Sequence, residues 1–512
     1  MDHRFRLDHA RIVYMCLGQF LGSLRLFLYA LHAQSSILKN LIQWKGGSFM
    51  KKTLLLFVAL IVPLTTFSVD ASANAIKVLL EGKAISFTDA QPYLDNNEVM
   101  IPVRAAADAL GMKTVYRGAA KEIELLVPTA SIMFKIGDNS AAINGKGPLL
   151  FGKNAVLKQG RAFVPLAFFQ SVLGLYTSYN ADLNEAVIAS SAPPIEKELP
   201  SQLVEEEVVI GEGTAFPLKG TLTMPREADG PLPAAVLVHG SGPSDRDETV
   251  GGYKPFRDIA WGLAEQGIAV LRYEKRTLAH ASSFTPEMLA KFTVKEETID
   301  DAIAASRLLK KDERINASQV YVIGHSLGGM MAPRIDAEGG DFAGLVIMAG
   351  TTRPLWALIH DQNKASVDTM DDSDPAKAAN AAWLADELRK AASIKSMPEE
   401  EALGQSVFGV PAYYLRDMDI HDTGELVAAS NKPIMVLQGS DDFQVYADKD
   451  YVLWQEALKD KPSAVLKLYP GLNHFFVNYS GSGEGTAAEY KIPGSVDPQV
   501  IADIASWIAN ND

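Results

Sequence analysis

The chain has 512 residues, 47% hydrophobic and 21% charged, which is the make-up of an ordinary globular protein with room for two or more domains. A formal net charge of −14 argues against nucleic acid as a partner and predicts an acidic, soluble surface. Cys16 is the lone cysteine, so a mature protein that has lost its leader holds no disulfide, no thiol nucleophile and no cysteine metal site.

In chain order, residues 1–49 carry a basic and apolar stretch that precedes what reads as a complete signal peptide over residues 50–75. Met50-Lys51-Lys52 supplies the basic start and Leu54 to Leu64 the apolar run. Ala71-Ser72-Ala73 and Ala73-Asn74-Ala75 offer small-residue cleavage sites. The run is short for a membrane span, which leaves an N-terminal anchor as the lesser alternative. The expectation is that Met50 is the true start, residues 1–49 are an over-extended reading frame, and the protein is secreted from, or held at the surface of, a bacterium.

Residues 76–190 read as a tandem duplication with a spacing of 63. Gly82-Lys83 matches Gly145-Lys146, Pro102 matches Pro165, Leu110-Gly111 matches Leu173-Gly174, Tyr116 matches Tyr179 and Glu122 matches Glu185. Several anchors at one offset mark a repeat. Each copy reads as strands, a short helix closed by Leu-Gly, and a hairpin-like pair, a small α+β domain. The pattern resembles the copper amine oxidase N-terminal-like domain, a stalk module. The segment contains neither histidine nor cysteine, so no copper site is expected. A spacer or dimerisation role, or contact with cell wall or glycan, is what the resemblance leaves open.

A Pro-rich, charged linker over residues 191–205 follows. Beyond it, residues 206–512 change texture. Apolar runs at 234–238, 268–271, 320–323, 345–348, 434–437 and 465–468 lack alternation, as expected of strands buried on both faces of a parallel sheet. Helices are expected at 254–266 and 295–310, and an antiparallel start at 206–224. Residues 351–432 interrupt the pattern with helical stretches near 354–365, 375–392 and 398–405, a cap-like insertion.

Gly324-His325-Ser326-Leu327-Gly328 stands where a buried strand meets a helix. Glycines flank the serine because a Cβ at either place would collide with the neighbouring strand or helix in so tight a turn. Such a turn exposes the Ser326 hydroxyl and leaves the Leu327 N–H at a helix N-terminus, free to stabilise an oxyanion. These residues, with His239-Gly240-Ser241-Gly242-Pro243 and Tyr273-Glu274-Lys275-Arg276, resemble the α/β-hydrolase superfamily and, more narrowly, secreted bacterial esterases. The resemblance implies a mostly parallel α/β sheet with a helical cap, and a chain order of nucleophile, acid, histidine.

Of nine histidines, only His360, His421 and His474 follow Ser326. His474 alone follows a late strand, in a Gly-Leu-Asn-His loop, and is the expected base. Gly439-Ser440-Asp441-Asp442-Phe443-Gln444-Val445 resembles the family's Gly-x-x-Asp-Tyr-Gln-Val block, which implies Asp442 as the acid, with Asp441 the alternative. Ser241 and Leu327 are the expected oxyanion-hole donors. Arg246, Asp247 and Lys275 are expected to tie the Ser241 loop to the sheet. In the cap, Tyr413, Tyr414 and Trp356 could bind substrate, although packing of the cap's own core is the better explanation for any one of them alone. No phosphate cradle or metal-ligand cluster is present, so neither cofactor nor metal is implied. The expected function is a secreted serine carboxylesterase acting on small-molecule esters of short to medium acyl length. The alternatives are a peptidase, thioesterase or acyltransferase on the same residues, or a cell-wall-binding protein whose N-terminal domain carries the main role.

Overall fold

The computed structural model describes residues 76–127, 130–181, 183–481 and 483–511; the signal-peptide and reading-frame expectations for residues 1–75 lie outside them. Two compact units divide at Ala192 and Pro193.

In the first unit the repeat is visible element by element. Tyr93–Asp95, Glu98–Pro102, Val103–Ala109, Lys113–Arg117 and Glu122–Val127 recur as Val156–Lys158, Arg161–Pro165, Ala167–Ser171, Tyr176–Asn180 and Glu185–Ala189. The copies interlock. Ile101 of the first lies opposite Val164 of the second in an antiparallel pair. Val78, near the start of the first copy, pairs in parallel with Ala186, near the end of the second. Neither copy closes its sheets alone, which is why the sequence needs both. Phe134, Phe151 and Phe168 meet at ring separations of 5.1 to 6.2 Å inside this unit's core.

The second unit is built on an eight-stranded sheet of order β1-β2-β4-β3-β5-β6-β7-β8. The strands are β1 (Leu203–Ile210), β2 (Leu218–Pro225), β3 (Leu232–Val238), β4 (Ala269–Tyr273), β5 (Ile315–His325), β6 (Leu345–Met348), β7 (Ile434–Gly439) and β8 (Val465–Tyr469). β1 and β2 are antiparallel to their neighbours, and β3 to β8 run parallel. The unalternating apolar runs have their cause in the layers. Val322 faces one hydrophobic core and Tyr321 and Ile323 the other, so every position of the run is buried.

Helix α1 (Pro255–Ala264) packs Phe256, Ile259 and Leu263 on one face; α2 (Asp300–Leu309) covers the other with Ala302, Ala305 and Leu309. Helix α3 (Leu327–Ile335) follows β5 directly. The insertion between β6 and β7 is helical as expected: α4 (Leu355–Asp368), α5 (Pro375–Ala391), α6 (Ala412–Ile420) and α7 (Thr423–Ala429). α5 starts where the Asp374 side chain accepts from the Ala376 N–H at 2.8 Å. The expected stretch at 398–405 shortens to a turn of helix, Glu399–Ala402, and gives way to a small hairpin of Ser406–Val407 with Val410–Pro411. The closing helix, α8 (Pro498–Ala509), lays Ile504 and Ile508 in the same core as α1. Because β3 to β8 are parallel, the segments leaving β3, β5, β7 and β8 emerge at one sheet edge.

Candidate active site

Ser326 sits between the last residue of β5 and the first of α3, at φ +53° and ψ −115°. A non-glycine residue in that region is strained, at roughly 1–3 kcal/mol, so the surrounding packing must impose it. The glycines show how. A Cβ on Gly324 would lie 2.2 Å from the Gly328 carbonyl oxygen, and one on Gly328 would lie 2.1 Å from the Val238 carbonyl oxygen. Helix α3 can therefore start tight against the end of β3 only with glycine at these places. The Ser326 N–H donates to Met348 in β6 at 2.8 Å, pinning the turn from the other side.

Asp442 and His474 come together as expected. His474 Nδ1 lies 2.8 Å from Asp442 Oδ2, with both side chains buried. The other carboxylate oxygen accepts from the Gln444 and Val445 N–H groups at 2.8 and 2.9 Å, and Gln438 Nε2 reaches Oδ2 at 3.0 Å. Asp441 is exposed and accepts from the Ser440 hydroxyl instead. Gly439 lets the two loops touch, since a Cβ there would be 2.2 Å from the Leu472 carbonyl oxygen. Asn473 shapes the histidine loop by accepting from the Phe475 and Val477 N–H groups at 3.0 and 3.1 Å.

His474 adjoins Ser326 through His325: the two imidazole rings are 4.7 Å apart, and His325 Nε2 lies 3.0 Å from the His474 carbonyl oxygen. No hydrogen bond joins the Ser326 hydroxyl to the His474 ring; catalytic contacts of this kind commonly tighten only with substrate in place.

The loop after β3 lies directly over the serine. A Cβ on Gly240 would be 3.1 Å from Ser326 Cβ and 3.6 Å from its hydroxyl oxygen. The Gly240 N–H is occupied, donating to Glu248 Oε1 at 2.7 Å. Among the described residues the Ser241 and Leu327 N–H groups donate to no partner, and Ser241 is exposed. Two unengaged donors beside a strained serine can receive an oxyanion.

Glu248 and His325 were not singled out by the sequence, and they form a buried pair behind the serine. Glu248 Oε2 is 3.0 Å from His325 Nδ1, close but off the N–H axis, so the contact is ionic more than a directed hydrogen bond. His325 faces a carboxylate with one nitrogen and a carbonyl with the other, surroundings that favour the charged imidazolium. Burial opposes that charge, but Glu248 more than offsets it and the His325 pKa is raised; the Glu248 carboxyl, itself opposed by burial, is held low by His325. The partners are separated by 77 positions (325 − 248), and no local pattern links them. His239 is structural: it is buried between Phe256 and Tyr273, and burial pushes its pKa down to about 4.

As expected, Arg246 ties its loop to the sheet through Glu274 at 2.8 Å and Thr221 at 2.6 Å, and Asp247 does so through Arg272 at 2.9 Å. Lys275 goes further and reaches the Gly240 carbonyl. In the cap, the Tyr414 hydroxyl is committed to Glu297 at 2.8 Å and the Trp356 indole N–H to Asp419 at 2.8 Å. Tyr414 is buried, and Trp356 and Tyr413 pack against the same core. His360 and His421 meet local partners, Asp361 and the Asp417 carbonyl.

Residues 235–489 match the model of the alpha/beta hydrolase family, and residues 79–188 that of the copper amine oxidase N-terminal domain. Esterase EstD of Thermotoga maritima is 37% identical over 317 residues, 62% of this chain and 71% of that protein. The chain belongs to the α/β-hydrolase family, among its carboxylic ester hydrolases. Among solved structures this hydrolase aligns with Est1E from Butyrivibrio proteoclasticus (15% identity, TM-score 0.38, 60% of this chain and 98% of that one). It also aligns with the Pyrococcus furiosus esterase Pf2001 (16% identity, TM-score 0.35, 55% and 88%).

Proposed function

We propose that this hydrolase is a secreted serine carboxylesterase acting on short- to medium-chain acyl esters, with Ser326 as nucleophile, His474 as base and Asp442 as the acid that orients it. The observation that carries the reading is the buried 2.8 Å contact of Asp442 with His474 Nδ1 at the sheet edge where Ser326 is held in its strained turn. Asp442 fixes the Nδ1–H tautomer, which leaves Nε2 free to take a proton. The Ser326 oxygen attacks the ester carbonyl carbon as its proton passes to His474. The carbonyl oxygen becomes an oxyanion in reach of the Ser241 and Leu327 N–H groups. Collapse breaks the bond to the alcohol oxygen, which leaves with the proton from His474. Water, deprotonated by the same histidine, then releases the acid and restores the serine. The basic start, apolar run and small-residue sites of residues 50–75 support secretion.

Ser326→Ala is the test. Its kcat on p-nitrophenyl acetate and butyrate is expected to fall by more than about 10⁴-fold, and wild-type turnover would refute the assignment. Esters of two to sixteen carbons, run beside amide and thioester analogues, check the substrate range.

A further inference from the structure

Gly240 is held at both its backbone polar groups by buried charge. Its carbonyl oxygen accepts from Lys275 Nζ at 2.6 Å. The residue's own N–H is engaged by Glu248 at 2.7 Å. Lys275 is 2% exposed, and its ammonium is paired with Glu297 Oε1 at 2.6 Å. The other Glu297 oxygen accepts from the cap residue Tyr414 at 2.8 Å. The Lys275 backbone N–H also donates to the Ser244 carbonyl at 3.0 Å, so β4's end and the loop after β3 are joined twice.

A buried ammonium is costly to keep. One carboxylate neutralises it, yet the second donation goes to the carbonyl of a peptide whose N–H, on Ser241, is unengaged in the loop that lies over Ser326. Donation to a peptide C=O draws electron density from the nitrogen and makes the attached N–H a stronger donor; the low local dielectric magnifies the effect. We propose that Lys275 is a positioning residue of the oxyanion hole: it orients and polarises the Gly240–Ser241 peptide so that the Ser241 N–H binds the tetrahedral oxyanion more tightly than the ester ground state. Glu297 and Tyr414 hold Lys275 in place, which links the cap to the hole. The inference rests on the serine-esterase reading and on Ser241 as a donor.

The test uses the full chain. Removing Lys275 alone strands the Glu297 carboxylate, so Lys275→Met is paired with Lys275→Met/Glu297→Gln, which leaves neither member of that pair charged. The expected result in the double variant is a kcat lower by roughly tenfold or more, with KM within about twofold. A trifluoromethyl ketone captured on Ser326 provides a second readout. The pKa of its hemiketal hydroxyl, followed by NMR, is expected to rise by about one unit, the same factor of ten. A merely structural lysine would lower melting temperature without moving that pKa. A folded double variant with wild-type kcat and an unshifted hemiketal overturns the inference. If Ser326→Ala stays active, or the ketone forms no adduct on the serine, the assignment of Ser326 as nucleophile has failed and this inference falls with it.

Discussion

At Asp442 four donors converge: the Gln444 and Val445 N–H groups on one oxygen, Gln438 Nε2 and His474 Nδ1 on the other. An acceptor this crowded with donors cannot be replaced by an amide without consequence. In Asp442→Asn the amide nitrogen faces His474, the imidazole turns to its other tautomer, and Nε2 arrives at Ser326 already protonated. The kcat is expected to fall about 10⁴-fold with KM little changed, read from steady-state kinetics on p-nitrophenyl butyrate. Asp442 and His474 were legible in the sequence through the order of nucleophile, acid and histidine that the family resemblance implies, with few histidines left after Ser326. The choice between Asp441 and Asp442 is made visible by the fold: one carboxylate turns to solvent and Ser440, the other into the sheet edge. Glu248 was not legible at all, since its two partners, Gly240 in the loop after β3 and His325 at the end of β5, are brought to it only by the fold.

At the scale of the element, the β5–α3 turn depends on absent side chains. Gly328→Ala places a Cβ against the Val238 and His239 backbone, which cannot yield without moving β3. A loss of at least about 2 kcal/mol in unfolding free energy is expected by urea titration. Gly404→Ala is the control, because its nearest neighbour would be 4.0 Å away, and it should change little. The long loop after β8 makes a different prediction. Glu489 is 1% exposed, its Oε1 has no hydrogen-bond partner among the described residues, and burial pushes its pKa up to about 7 from an ordinary 4.5. The folded protein therefore prefers the protonated acid. Ionisation works against folding as pH rises above about 4.5, and the loss levels off beyond about 7. Melting temperature measured at pH 5 and pH 8 should drop less in Glu489→Gln than in wild type; equal drops would show that Glu489 does not contribute.

For the whole molecule, each unit closes a hydrophobic core from its own residues: one from Ile76 to Ile188, the others from Ile210 onward. The linker residues Lys197 and Glu196 pair with Asp258 and Lys254 of the hydrolase unit, so the natural cut lies before them. A chain beginning at Pro193 is expected to keep kcat/KM on p-nitrophenyl butyrate within about twofold of the full-length value. A large loss would mean that residues 76–192 act on the ester site.

What could be read from order along the chain was whatever the chain encodes locally: a run buried on both faces, a glycine-flanked serine, a repeat at one spacing, a histidine after the last strand. The buried run and the glycine-flanked serine follow from backbone sterics and the period of burial, the repeat from its constant spacing, and the histidine from the chain order that the family resemblance implies. The interlocked strands of the repeat, the Glu248–His325 pair and the Lys275–Glu297–Tyr414 chain belong to the tertiary structure alone. Each joins groups distant in sequence, and the two charged sets persist in the dry interior because the fold that strips their water also supplies their partners.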